Sequence, residues 1–177
     1  GFDAIAVDDE TYQLVTPDAF WFDAAVFRSL SRRARMTSAT TADRLFALEQ
    51  AGRLYRGPFM VSCNEDWCST ERHWSDVRHT ANLHLLARLY AQSGMLHRAV
   101  DVCQALLDID PLDERAALLS VRLLLTTGDR SGALGAWHSY EVLLRQELDT
   151  TPSEPVRRLV ERLFSGSAPH QARRHLA

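Results

Sequence analysis

Three cysteines and seven histidines are the first residues in this chain that invite chemistry. Cys63, Cys68 and His73 stand at C-x4-C-x4-H spacing, and His79 is close enough to complete a four-ligand zinc set. Zinc motifs typically pair their cysteines more tightly, so this spacing fits incidental or buried thiols beside a helix start better than a metal site. Cys103 makes the count odd, and no export signal precedes the three, which reads as reduced thiols in the cytosol. The signatures of common enzymes are missing: no G-x-S-x-G, no P-loop and no H-E-x-x-H. Glu65 and Asp66 are adjacent and solvated rather than a catalytic pair, and Asp113 and Asp129 read as helix caps. The chain therefore reads as a non-enzyme with no cofactor and no metal.

Cations form the second set. Arg88 and Arg122 are 34 positions apart, and His84 and Arg115 lie near them. If these residues share the inner side of stacked helices, they could hold an acidic segment or a phosphate; the plainer reading is a solvated helix face with ordinary i,i+4 partners. Arg32, Arg33 and Arg35 make a short basic run and Arg173-Arg174 another, suited to DNA backbone or, more simply, to solvent.

The elements that would position these groups follow from periodicity. Gly94 and Gly128 share the 34-residue separation of the arginines, and so do Ala99 and Ala133. That period marks tetratricopeptide (TPR) helix pairs, which stack to bury a common core. Glycine suits the position after a helix where φ is positive, and alanine suits a close helix crossing. Pro111 ends one repeat because it cannot donate within a helix. The second copy places Trp137 where the first has Cys103.

Helices are predicted from Asp23, with Asp23 as cap and Phe27, Leu30 and Ala34 on one face; then a second with Leu45, Leu48 and Leu54 inward. Others are predicted from about Trp67 to Ser93, His97 to Asp108, Asp113 to Thr127, Arg130 to about Leu148, and Glu154 to Phe164. The Tyr55–Cys68 segment is irregular, broken by Gly57-Pro58, with Phe59 and Trp67 expected to anchor it in the core. Residues 2–15 alternate as a β-hairpin, which must pack on something to be stable. The tail from Ser165 is small, polar and basic and reads as disordered.

Composition sets bounds on function. The chain has 177 residues, 46% of them apolar, enough for one ordinary domain or two small ones. A net charge of −3 argues against broad electrostatic binding of nucleic acid. No apolar run is long enough to span a membrane. The chain opens inside what reads as a strand, as a fragment of a longer protein would.

With these residues in place the chain resembles the bacterial transcriptional activator domain, the TPR-like regulatory module of antibiotic-pathway regulators in actinobacteria. The matching motifs are Tyr55-Arg56-Gly57-Pro58-Phe59-Met60, Asp66-Trp67 with Glu71-Arg72, and Asp110-Pro111-Leu112-Asp113-Glu114. Gly128-Asp129-Arg130-Ser131-Gly132-Ala133-Leu134, and Glu147-Leu148 with Thr151-Pro152-Ser153, complete the set. Asp149 stands where the family usually has glycine. The resemblance covers about 22–164 and implies an all-α, TPR-like solenoid of antiparallel helix hairpins with a short N-terminal β-hairpin. It divides the chain into 1–16, resembling the wing of a truncated winged helix domain, then 17–164, the module, then 165–177, the tail. Asp8, Asp9 and Glu10 at the wing tip would repel phosphate. The implied function is a cytoplasmic regulatory module. It would position a DNA-binding domain and contact that domain, another protomer or RNA polymerase, reaching DNA only through the upstream domain. The alternative is a stand-alone TPR adaptor that binds a peptide or acidic segment.

Overall fold

The computed structural model describes residues 22–166 with their side chains, and the backbone of 5–8 and 11–14. Residues 22–166 are all-α. Seven helices follow in order: α1 (Asp23–Arg33), α2 (Thr41–Leu54), α3 (Asp66–Gln92), α4 (Leu96–Ile109), α5 (Glu114–Thr126), α6 (Arg130–Leu148) and α7 (Glu154–Gly166). Ahead of them β1 (Ile5–Asp8) pairs antiparallel with β2 (Thr11–Leu14), placing Ile5 opposite Leu14 and Asp8 opposite Thr11. Asp9, Glu10, Pro17, Asp18 and Arg173-Arg174 lie outside the described residues. No helix among the described residues is long and apolar enough to cross a membrane.

Consecutive helices pack on one another from α1 through α6, α1 also touches α3, and α7 returns onto α5. Two apolar cores result. Ala47, Leu48, Leu85, Leu86, Leu89, Tyr90, Ala99 and Cys103 fill the first. Ala117, Val121, Ala133, Trp137, Tyr140, Leu144 and Val160 fill the second. Helix α5 is the wall between them, giving Leu123 to the first core and Val121 to the second.

The two glycines one period apart terminate their helices by the same device. Gly94 has φ +75°, its N–H donates to the Ala91 carbonyl, and the Met95 N–H donates to Tyr90 at 2.9 Å. Gly128 has φ +86°, with Gly128 N–H to Leu125 and Asp129 N–H to Leu124 at 2.9 Å. Both are Schellman closures, which need a left-handed residue that glycine adopts without steric cost. Ala99 and Ala133 are fully buried. Asp113 and Asp129 cap α5 and α6, accepting from Ala116 N at 3.0 Å and Gly132 N at 2.8 Å.

Three local expectations are corrected. Asp23 is the first helical residue of α1 and not its cap; Phe22 holds the cap position, and the Asp23 carboxylate accepts from Ala24 N instead. Helix α2 carries a capping box, with Thr40 and Asp43 exchanging bonds. Ser165 and Gly166 extend α7 rather than starting a tail. Trp67 is 59% exposed, so it does not anchor its loop in the core.

Asp149 ends α6 with φ +48°, the left-handed region. A side chain there is strained, and a negative charge at a helix C-terminus opposes the helix dipole. Replacing Asp149 with Gly removes both costs and adds some unfolded-state entropy. The expected net is a gain of about 0.5–1 kcal/mol, readable as a higher urea midpoint at unchanged slope.

Candidate binding surfaces

The irregular segment between α2 and α3 is latched onto α3 by polar contacts. Arg72 donates to three of its backbone carbonyls: Phe59 at 2.8 Å, Met60 at 2.7 Å and Cys63 at 2.9 Å. Tyr55 stacks on His79 with ring centroids 3.8 Å apart, and its hydroxyl donates to Asp76 at 2.8 Å. Burial and the Asp76 carboxylate push the Tyr55 phenol up to about 12. Burial lowers the pKa of His79, against the pull of Asp76, so its ring is held toward the neutral form. Phe59 meets the exposed Trp67 edge-on. A cavity of about 420 Å³ opens between the latch and the start of α1, walled by Phe22, Phe27, Leu54, Pro58 and Phe59 with Glu71 at its side.

Cys63 and Cys68 are joined by a disulfide, which corrects the expectation of reduced thiols. The cause is the loop. Met60 turns with φ +42° and Arg72 gathers the carbonyls on either side, bringing the two Cα atoms to 6.2 Å, within bridging range. Neither sulfur is then free for zinc, and among the described residues no group of three or more His, Cys, Asp or Glu is placed to hold a metal ion. Closing so short a loop is worth about 2 kcal/mol in chain entropy. Dithiothreitol should therefore lower Tm by roughly 4–8 °C in calorimetry; an unchanged Tm would show that the bond stabilises nothing. Cys103 stays a free thiol, fully buried, its pKa pushed up to about 12 by burial and by Asp113, so it is unreactive.

The four residues assigned to a partner groove separate into two kinds. His84 is already engaged: its Nε2 lies 2.7 Å from Oδ2 of Asp113, the carboxylate whose other oxygen caps α5. This contact ties α3 to the head of α5. Arg88 on α3, and Arg115 and Arg122 on α5, are exposed, and among the described residues no guanidinium of the three makes an ion pair. None of the four lines the cavity beside the latch.

A second concave site of similar volume, about 420 Å³, lies where the end of α1 meets α3. Arg28, Arg32, Arg35 and Arg78 line it with Ser31 and Trp74. Beneath it Arg35 donates to Asn82 Oδ1 at 2.6 Å and to the Ser31 carbonyl at 2.8 Å, while Asn82 Nδ2 donates to Ser31 Oγ at 2.9 Å. Sequence reasoning treated Arg32, Arg33 and Arg35 as one solvated run. The structure splits it: Arg33 turns to Asp43 at 3.4 Å, and the other two face the cavity. The available signal was Asn82, a polar residue three and four positions before Leu85 and Leu86 on the inward stripe of α3.

No curated protein sequence matches the chain at a significant level. The family model of the bacterial transcriptional activator domain matches residues 22–164, which spans α1 to α7 up to Phe164. That family is regulatory and not enzymatic. By this match over most of its length, the chain belongs to the bacterial transcriptional activator domain family and is a module of the transcription-regulator type.

Proposed function

We propose that this chain is the regulatory and protein-interaction module of a bacterial transcription regulator, acting in the cytoplasm. In this reading it positions a DNA-binding domain lying upstream, and the β1–β2 pair is the wing of that domain. The proposed boundaries are a wing over 1–16 and a TPR-like module over 17–164, whose last helix runs on to Gly166. DNA is reached through the upstream domain alone. The protein partner is that domain, a second protomer or RNA polymerase.

The observation that carries the proposal is the set of exposed arginines on α3 and α5 that have no ion-pair partner among the described residues. Arg88 and Arg122 repeat at the period of the Schellman glycines, on the first helix of each repeat. Arg115 adds a third cation on α5, and His84 steadies the junction through Asp113. Cations without acid partners cost little when solvated and are available to an acidic surface, where complementary charge gives specificity and on-rate. Charge reversal tests this directly. Arg88→Glu/Arg122→Glu should weaken binding to purified bacterial RNA polymerase at least tenfold, about 1.4 kcal/mol, in surface plasmon resonance. Binding that is unchanged would remove these arginines from the site, and wild-type binding that is absent would remove the polymerase as partner.

A further inference from the structure

The cavity at the end of α1 is a charge anomaly. Arg28, Arg32 and Arg35 follow at i, i+4 and i+7, one stripe running from α1 into the turn after it. Like charges at that spacing weaken a helix unless something neutralises them. Glu71 does so for Arg28, at 2.7 Å. Nothing acidic among the described residues does so for the rest. Among the described residues Arg35 binds only neutral acceptors, Asn82 and the Ser31 carbonyl. Arg78 reaches in from α3 beside Trp74, and Arg32 makes no ion pair among the described residues. No carboxylate of the described residues lines the cavity.

We propose that this cavity is an anion site for a compact phosphoanion carrying at least two charges, of the pyrophosphate or nucleoside diphosphate class, held by Arg32, Arg35 and Arg78. Three uncompensated guanidiniums around a hollow of about 420 Å³ match several oxygens on tetrahedral centres better than the two oxygens of a carboxylate. The volume falls in the range of small-ligand sites. The site is built from beneath: Asn82 is 3% exposed and holds the Arg35 guanidinium from below the cavity floor. Trp74 is flanked by Arg28 at 4.0 Å and Arg78 at 5.4 Å, which fixes both guanidiniums over an aromatic face. Burial, then Arg78 and Arg44, lower the pKa of Arg35, the direction that an absent counter-charge produces. A duplex backbone is the weaker match, because the cations converge on a hollow rather than tracking a line and the chain as a whole carries −3.

Titration calorimetry at low salt tests the site with inorganic pyrophosphate, ADP and a short duplex DNA of arbitrary sequence. Pyrophosphate is expected to bind wild type with Kd below about 1 mM. The variant Arg32→Gln/Arg78→Gln should bind at least tenfold more weakly, about 1.4 kcal/mol. Among the described residues neither side chain makes a hydrogen bond, and Arg78 adds only its contact with Trp74, so its circular dichroism should match wild type. Arg88→Gln/Arg122→Gln should bind pyrophosphate as wild type does, which separates this site from the partner face. ADP binding as tightly as pyrophosphate, or more tightly, supports the assignment. Absence of binding at about 5 mM pyrophosphate, or equal affinity in the Arg32/Arg78 variant, overturns it. DNA that binds more tightly than pyrophosphate through the same two arginines overturns the small-anion assignment in favour of a nucleic-acid contact.

Discussion

Leu48→Ala should cost about 2–5 kcal/mol of stability and lower Tm by roughly 5–20 °C. Leu48 projects from α2 into the first core, is 1% exposed, and shares that core with Leu85, Leu86, Leu89 and Tyr90 on α3. Truncation removes about three methylene equivalents of burial, roughly 2 kcal/mol, and leaves a void that rigid neighbouring helices close only partly. The same substitution at Leu134, 50% exposed on α6, should stay within about 0.5 kcal/mol of wild type. Urea titration of the pair gives the comparison. Equal midpoints would mean that α2 is not a structural part of the core and that the helices from α3 onward fold without it.

Asn82→Leu should cost about 2–4 kcal/mol although it adds apolar volume to a buried position. The amide accepts from the Arg35 guanidinium and donates to Ser31. Leucine leaves a half-buried cation and a buried hydroxyl without those partners, and the charge-assisted bond is the larger loss. Asn82→Asp separates shape from charge. A carboxylate still accepts from Arg35 and can accept from Ser31, so this variant should lose less than half as much. It should also weaken pyrophosphate binding by cancelling a charge under the cavity. Chemical denaturation of the three proteins decides: if leucine is as stable as asparagine, the network contributes packing and nothing more.

What could be read from residues alone was what a few neighbours decide. Gly94, Gly128, Asp113 and Asp129 close or open helices through bonds to residues within a turn or so, so their types announced the geometry. Ala99 and Ala133 were legible because one period set both. The latch was not. Trp67 was given the core because of its size, whereas the work of holding the loop falls to Arg72, whose carbonyl partners carry no side-chain signature. The disulfide was missed for a related reason, since the backbone turn that joins the two sulfurs depends on that arginine. Arg35 and Asn82 are 47 residues apart, and only the packing of α1 on α3 shows that a basic run and a lone amide form one site.

The order in which the helices pack has a kinetic consequence. From α1 through α6 consecutive helices rest on one another, and contacts past a neighbour are few, α1 on α3 and α7 back onto α5. Loops that close contacts between adjacent hairpins are short, so the entropy lost before each contact forms is small. Chains of this kind fold quickly and can gain structure as they leave the ribosome, N-terminal hairpin first. The second core, by contrast, waits for α7 to supply Val160, which makes the C-terminal helix the last piece to lock. A regulator assembled in that order would carry a finished upstream half while its downstream half is still being made.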